Sequence, residues 1–261
     1  MKAQQMAGDK ERQYHIGLAP GELGDYVLLC GDPARARRFS ESVLDSTDSE
    51  IGHREYLTFT GRLGGARVSA MATGIGPDNI EIALVESCNI AAAPTFIRMG
   101  SCGALQPHIA LGDLVVSTGA VRLENTSSFF VPDGYPAVAD LEVTGALVRA
   151  CAARGYSHHV GITATAPGFY GAQGRRVGVF RPRKPELVDE LARCGVLNFE
   201  MESSALFILA ALAKLRAGTV CAVYANRATD EVLDESARRD AELRCVEVAA
   251  DAVRLLSGQE V

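Results

Sequence analysis

Two glycine-containing segments follow apolar runs, at the strand ends where open α/β sheets bind ligands. GDPAR (31–35) combines a glycine that permits close backbone approach with Arg35, whose guanidinium can fork around an anion. The same residues are also compatible with an ordinary strand-to-helix turn that carries a surface arginine. TGIGPDN (73–79) is a glycine turn before a helix, where Asp78 or Asn79 could cap the helix, and it lacks the full dinucleotide-binding pattern.

The segment IRMGSCGALQ (97–106) indicates phosphate chemistry more strongly. Arg98 lies at the end of an apolar run, and Gly100, Ser101 and Gly103 follow closely. Together they offer a guanidinium, a hydroxyl and free backbone N–H groups, which suit phosphate. A buried Arg98 paired with a carboxylate would explain the same residues equally well.

Carboxylates interrupt the segment NFEMESSAL (198–206), just before an apolar helix. Buried carboxylates are costly unless they are paired, so Glu200 and Glu202 need partners. Glu202 could accept hydrogen bonds from the hydroxyls of a ribose and favour the positive charge that builds on the sugar ring as its bond to a base breaks. The alternative is a helix N-terminus at which glutamate complements the helix dipole.

The elements that must position these residues alternate along the chain. Six short apolar runs predict strands that are buried on both faces and mostly parallel, at 27–30, 66–73, 95–100, 113–121, 159–166 and 219–226. Helical patterns lie at Asn79 to Ile90, Leu141 to Arg154, Pro185 to Cys194, Ser203 to Lys214 and Ser236 to Leu256. The alternation predicts an α/β fold with helices covering a central sheet. The Gly-, Arg- and Pro-rich stretch 168–185 predicts a long functional loop.

Length and composition limit the class of protein. With 261 residues, 48% of them apolar, the chain can form one domain around a substantial core. A net charge of −6 argues against nucleic-acid binding, and no run of the sequence predicts a leader or a membrane anchor. Seven scattered cysteines predict free thiols in the reducing cytoplasm, without a zinc site.

In order along the chain, nine segments resemble the hexameric nucleoside phosphorylase family, in its uridine phosphorylase branch: YHIGL, GDPAR, HREY, TGIG, IRMGSCGALQPHI, DLVVSTGAVRLENTSSFF, GFYGAQGR, NFEMESSAL and ANR. The resemblance runs from Tyr14 to the C-terminal helix. It therefore implies one domain at 14–261 after a flexible segment at 1–13. It also implies a three-layer α/β/α fold, with a central mixed and mostly parallel sheet, and phosphorolysis of a nucleoside.

The resemblance assigns roles to individual residues. Phosphate would be held by Gly31, Arg35, Arg98 and Ser101 of one subunit and by Arg54 of its neighbour. Ribose would be held by Glu200, Met201 and Glu202, with His15 reaching across from the neighbour. The smallest active unit would then be a dimer, and the family usually assembles three dimers into a hexamer.

The loop GFYGAQGR would recognise the base. Phe169 would stack on the base, and the amide of Gln173 would meet an oxygen and an N–H of the uracil edge. Arg175 would stabilise the departing uracil anion, so Arg98, Glu202 and Arg175 would be the catalytic residues. The products would be uracil and ribose 1-phosphate, and inorganic phosphate would be a co-substrate with no organic cofactor and no catalytic metal.

Several features bear on the alternatives. Family members that prefer purines carry a Ser-Asp pair where this chain has Asn226 and Arg227, although Asp230 follows. A related purine phosphorylase, a nucleoside hydrolase and a non-catalytic binding or storage protein remain open as rival functions. Glu55 lies beside the position at which some relatives hold a monovalent cation, but Asn79 replaces the usual serine. The chain also departs from the better-known bacterial pattern: Ser101 and Cys102 replace a threonine pair, Phe199 stands where tyrosine is common, and Tyr224-Ala225 replaces aliphatic residues near the base pocket.

Overall fold

Residues 11–259, which the computed structural model describes, form a single mixed sheet and six α-helices. The strands are β1 (Tyr26–Cys30), β2 (Ser46–His53), β3 (Tyr56–Leu63), β4 (Ala66–Ala72), β5 (Thr95–Ala104), β6 (Leu114–Arg122), β7 (Ala137–Val138), β8 (His158–Thr165), β9 (Asn198–Glu200), β10 (Ala217–Asn226) and β11 (Glu231–Val232). The helices are α1 (Pro33–Ser42), α2 (Pro77–Ile90), α3 (Leu141–Ala153), α4 (Leu187–Arg193), α5 (Ser203–Leu212) and α6 (Glu235–Leu256).

The helices pack in layers on the two faces of the sheet. One large apolar core lies between the sheet and helices α1, α3 and α6, and a second lies between the sheet and helices α2 and α5. Helix α4 packs with strands β8 and β9 around a smaller cluster that contains Leu187, Leu191 and Phe199. The α/β architecture with a central, helix-covered sheet is therefore confirmed.

The sheet closes on itself along part of its width. Strand β10 pairs in parallel with β5 and antiparallel with β6, and β5 is connected to β6 again through β9 and β8. Five strands thus form a closed ring. Three of these strands, β5, β6 and β10, share a small buried cluster that includes Cys102, Ala104, Val115, Cys221 and Val223. The sequence pattern predicted no such closure.

The six predicted strands and five predicted helices are present, with ends that move by a few residues. The prediction that every strand is buried on both faces is wrong for β8, because Val160 and Ile162 are 46% and 42% exposed. Helix α1 and the hairpin of β2 and β3 were not predicted. Strand β2 has the sequence STDSEIGH and is largely exposed, so it carries no apolar pattern that could reveal it.

The strand that carries Arg98 is longer than predicted. Strand β5 does not end at the arginine but continues to Ala104, and its residues from Gly100 onward pair with β10. Strand β1 stops pairing with β5 at Arg98, and β9 joins that edge only at Gly103. Among the described residues, no strand pairs with this edge of β5 between the two points. Such a split in an α/β sheet is where ligands commonly bind.

The N-terminal segment is described only in part. Residues 1–10 of the predicted flexible segment 1–13 lie outside the described residues, while Arg12 forms an ion pair with Glu22 and Gln13 is buried. The boundary at residue 14 therefore stays a prediction. Within residues 11–259, no helix has the length and apolar character needed to cross a membrane.

Candidate active site

A cavity of about 590 Å³ opens at the split between β1 and β5, a size suited to a small-molecule ligand. Ten of the predicted site residues line it: Gly31, Arg35, Arg98, Ser101, Phe169, Gln173, Arg175, Glu200, Met201 and Glu202. The remaining two, His15 and Arg54, do not line this cavity. Residues that are far apart in the sequence thus meet in one place.

Arg98 lies at the centre of a buried charge cluster. Its Nε donates to Glu200 Oε2 at 3.0 Å, and its Nη2 lies 2.5 Å from Glu202 Oε2. Burial opposes the charge of Arg98, but Glu202 and Glu200 hold the pKa of its guanidinium above the ordinary value. Arg98 is therefore a buried arginine paired with carboxylates, as one of the two interpretations of the sequence predicted. It also lines the cavity, so the pairing leaves a role in ligand binding open.

Glycine is required beside this arginine. A side chain at Gly100 would bring its Cβ to 2.9 Å from Arg98 Nη2 and to 2.6 Å from Cys221 Sγ. Gly100 thus provides space for the guanidinium. The sequence pattern predicted free backbone N–H groups for phosphate at this segment. Gly100 instead pairs with Cys221 of β10 and is part of the sheet.

The carboxylate of Glu200 is fully engaged by the protein. Besides Arg98, it accepts hydrogen bonds from the Thr165 hydroxyl and from the backbone N–H groups of Glu202 and Ser203. These two N–H groups belong to the start of α5, where unpaired donors and the helix dipole favour a negative charge. Glu200 therefore holds Arg98 and the first turn of α5 in fixed relation.

The Glu202 carboxylate has fewer protein partners. Its Oε1 accepts from the backbone N–H of Gly76 at 2.7 Å, and its Oε2 faces Arg98. Burial raises the pKa of the Glu202 carboxyl, and the charge of Arg98 partly reverses that effect. Glu202 is thus a buried acid at the cavity wall that is held ready to accept hydrogen bonds.

The TGIGPDN segment contributes through its backbone. Gly76 has a φ of 109°, which favours glycine, and it presents its N–H to Glu202. The predicted capping of α2 is wrong, because the N-cap position is Gly76 and no side chain in the described part of the chain caps it. Asp78 instead accepts a hydrogen bond from Thr126. The turn between β4 and α2 is therefore part of the site.

Arg35 is buried, so its interpretation as a surface residue of an ordinary turn is wrong. Helix α1 begins after β1 with Asp32 as its N-cap, whose carboxylate accepts from Ala34 N, and with Pro33 at the next position. This start places Arg35 in the first turn, where its Nη1 donates to the carbonyl of Met99 on the open edge of β5 at 3.0 Å.

The opposite side of the cavity is formed by the segment between β8 and α4. The guanidinium of Arg175 stacks over the Phe169 ring at 4.2 Å from its centroid, and burial lowers the pKa of Arg175. Gln173 is buried in a short 3₁₀ turn, and its backbone carbonyl accepts from Arg227 Nη1 at 3.2 Å. An aromatic face, an amide and a cation thus meet at one end of the cavity.

Asn226 has a structural function. Its Nδ2 donates to the carbonyls of Gln106 and Ile109, and its Oδ1 accepts from the N–H groups of Ala228 and Thr229. All of its hydrogen-bonding capacity is therefore in use. Asp230 does not line the cavity.

His15 and Arg54 lie together on another part of the surface. Arg54 occupies the turn between β2 and β3 with a φ of 53°, and its guanidinium lies 4.7 Å from the centroid of the Tyr14 ring. His15 Nδ1 contacts Glu86 at 2.6 Å, and His53 Nδ1 contacts the His15 carbonyl at 2.9 Å. We name Tyr14, His15, His53 and Arg54 the N-terminal patch.

Several cavity residues were not identified as site residues from the sequence. Ile75, Val232 and Arg238 line the cavity, and Arg227 supports Gln173. Ile75 and Val232 are large apolar residues that are 70% and 61% exposed, and such exposure becomes visible only in the fold. The residues that depart from the bacterial pattern also line the cavity: Ser101, Cys102, Phe199, Tyr224 and Ala225.

Residues 25–257 match the family model described as the phosphorylase superfamily. The chain therefore belongs to the phosphorylase superfamily. The uridine phosphorylase of Thermococcus kodakarensis is 45% identical over 259 residues, covering 98% of this chain and 91% of that protein. The uridine phosphorylase of Escherichia coli is 36% identical, covering 95% and 99%. A DeoD-type purine nucleoside phosphorylase of Roseobacter denitrificans is 33% identical, covering 91% and 97%.

Proposed function

We propose that this protein is a uridine phosphorylase, a pentosyltransferase that converts uridine and phosphate into uracil and ribose 1-phosphate. The observation that carries the proposal is the single cavity in which Arg35, Arg98 and Glu202 face the group of Phe169, Gln173 and Arg175. Relatives named uridine phosphorylase that align along nearly the whole chain support it.

In the proposed reaction, phosphate binds near Gly31, Arg35, Arg98 and Ser101, and ribose lies against Met201 and Glu202. The bond between C1′ and N1 of uracil lengthens, and its electron pair leaves with the base. Glu202 stabilises the positive charge that develops on the sugar ring. A phosphate oxygen then forms the new bond to C1′ from the opposite face.

The base end of the cavity suits a pyrimidine anion. The Gln173 amide offers one acceptor and two donors to the uracil edge, and Phe169 offers a face for stacking. The guanidinium of Arg175 is partly desolvated, which strengthens its interaction with negative charge on the departing uracil. Water can later protonate the released base.

A purine substrate fits these residues less well. Protonating purine N7 needs an acid, whereas Asn226 uses its amide within the protein and Arg227 carries a second positive charge beside Arg175. Hydrolysis, the other rival, would not require Arg35 and Arg98 together. A storage protein without catalysis would have no need for the charged cluster of Arg98, Glu200 and Glu202.

The proposal includes self-association into a dimer that shares its sites. Arg54 would complete the phosphate site of a neighbour, and His15 would reach the neighbour's ribose 5′-hydroxyl. The N-terminal patch brings both residues together, and Arg54 adopts a left-handed backbone conformation that is unfavourable for a non-glycine residue. Three such dimers would form a hexamer, and a monovalent cation near Glu55 would lie at the interface. The enzyme would act in pyrimidine salvage in the cytoplasm.

The proposed function is tested with uridine, thymidine, inosine and adenosine, each incubated with and without inorganic phosphate while base release is followed by ultraviolet absorbance. We expect uridine to be the best substrate and its cleavage to require phosphate. Cleavage at equal rates without phosphate would identify a hydrolase. Faster cleavage of inosine or adenosine would refute the assignment of the base.

A further inference from the structure

Helix α6 contributes a buried carboxylate that has no role in the reaction described so far. Glu242 is 6% exposed, and its Oε2 lies 2.9 Å from Arg35 Nη2. The same carboxylate contacts Arg38, one turn further along α1. Tyr224 donates its hydroxyl hydrogen to Glu242 Oε2 at 3.1 Å, and Arg35 Nη2 lies 3.4 Å from that hydroxyl. Glu242 thus joins α6, α1 and β10 beside the cavity.

Protein contacts engage two of the three nitrogens of the Arg35 guanidinium. Nη1 is engaged by the Met99 carbonyl, and Nη2 is engaged by Glu242 and Tyr224. The remaining nitrogen, Nε, is buried and has no hydrogen-bond partner among the described residues. Buried N–H donors in folded proteins nearly always have a partner. Arg35 also lines the cavity, so its guanidinium belongs to the wall beside which an anion would bind.

We propose that Glu242, assisted by the Tyr224 hydroxyl, is a positioning residue for phosphate. It holds Nη2 of the Arg35 guanidinium, so that the positive charge of Arg35 stays fixed at the cavity wall beside the anion. This inference rests on the proposed phosphorolysis, since it assigns the phosphate to the side of the cavity where Arg35 lies. Tyr224 then acts on phosphate binding, whereas the sequence associated it with the base pocket.

Two effects of Glu242 on phosphate affinity oppose each other. Its negative charge weakens the attraction between Arg35 and an anion, but its geometry fixes the guanidinium. The charge of Glu242 is shared with Arg38, so Arg35 and Arg38 together keep a net positive charge. Without Glu242, the two neighbouring guanidinium groups would repel each other and lose their common anchor. We therefore expect orientation to outweigh charge, and removal of Glu242 to weaken phosphate binding.

The test measures steady-state kinetics of Glu242→Ala, Glu242→Gln and Tyr224→Phe with phosphate and uridine varied separately. Glu242→Ala is expected to raise the KM for phosphate about tenfold, the loss typical of one charged contact. Glu242→Gln keeps an acceptor oxygen, so its increase should be smaller, and Tyr224→Phe should cause the smallest one. The KM for uridine and the kcat at saturating phosphate should stay close to those of the unmodified protein.

Glu247 supplies a matched control on the same helix. It also accepts a hydrogen bond from a tyrosine and pairs with an arginine, Tyr156 and Arg154, but it does not line the cavity. Glu247→Ala should therefore leave the KM for phosphate unchanged. Direct phosphate titration by calorimetry on Glu242→Gln and Tyr224→Phe, checked for folding by circular dichroism, covers the case in which Glu242→Ala does not fold.

The outcomes separate the inference from the proposed function. If the unmodified protein cleaves uridine without phosphate, the proposed function fails. If the unmodified protein depends on phosphate but the Glu242 and Tyr224 variants bind phosphate equally well or more tightly, only the inference fails. A parallel rise in the KM for uridine would also overturn it, because a general loss of structure affects both substrates.

Discussion

Glu200 is a single carboxylate that stabilises two separate features. It fixes Arg98 on β5, and it accepts from the first backbone N–H groups of α5. Any displacement of this helix turn would therefore be transmitted to the guanidinium. The sequence indicated a carboxylate partner for a buried Arg98 and, separately, a glutamate at a helix N-terminus. Glu200 fulfils both predictions.

At the residue scale, Arg98→Ala should impair both catalysis and folding. Loss of one charged donor costs about 2–4 kcal/mol of transition-state stabilisation. Because Glu200 and Glu202 would lose their buried cation, the free energy of unfolding should fall by about 3–5 kcal/mol as well. The kcat/KM of the folded protein measures the loss of transition-state stabilisation, and denaturant unfolding measures the loss of stability.

Arg154→Ala is the control for Arg98→Ala. Arg154 pairs with Glu247 and Asp251 away from the cavity, so its removal should lower stability without changing the dependence on phosphate. An Arg98→Ala protein with unchanged phosphate dependence would exclude Arg98 from the phosphate site.

At the element scale, the cavity has two walls of different origin. The turns after β1 and β4, the open edge of β5 and the start of α5 form one wall, and the segment between β8 and α4 forms the other. Residues of β9, β10, β11 and α6 complete the lining. In this segment, Gly174 has a φ of 67° at the end of the 3₁₀ turn, between Gln173 and Arg175. Glycine adopts this conformation without strain, so the turn can direct both side chains into the cavity.

Gln173→Ala and Arg175→Ala are expected to reduce kcat/KM for uridine by at least about tenfold each, because each removes a polar contact to the base. Phosphate affinity, measured by calorimetry, should change little. The matched control is Arg176→Ala, since Arg176 is exposed and does not line the cavity. Normal uridine cleavage by both cavity variants would disprove the assignment of the base.

Apolar periodicity was sufficient to predict the strands and helices that form the core, such as β10 and α6. It was insufficient for β2, whose sequence is polar and which pairs, within residues 11–259, with β3 alone. The candidate site could be predicted from charged residues next to glycines in apolar segments, because burying a charged side chain is costly unless it is paired. Glu242 was missed because it lies among other charged residues on α6, and only the packing of α6 against α1 distinguishes it from a solvated side chain.

At the scale of the whole molecule, the cavity and the N-terminal patch are separate features of one chain. The chain belongs to the phosphorylase superfamily, yet two of the residues with predicted roles, His15 and Arg54, do not line its own cavity. In the proposed assembly, each subunit would provide most of one site and a small part of another.

Subunit mixing tests that assembly. Arg54→Ala and Glu202→Gln should each lose most activity alone. A dimer containing one copy of each would have one site with both changes and one with neither, so random mixing restores about one quarter of all sites. Activity is measured after the two proteins are unfolded and refolded together.

The control mixes Gln173→Ala with Glu202→Gln. Both residues line the cavity of the same subunit, so no mixed dimer would contain an intact site and no recovery is expected. Absence of recovery in the Arg54 experiment, with mixed dimers demonstrated by affinity tags, would refute the sharing of sites.

The two-walled cavity has a consequence for how such proteins diverge. The segment proposed to contact the base is continuous in sequence, whereas the residues proposed to hold the anion and sugar come from several distant parts of the chain. Replacement of this segment, together with changes at Asn226 and Arg227, could therefore alter base preference while the rest of the site is retained. Relatives named for uridine and for purine nucleosides both align along nearly the whole chain, as such a history would produce.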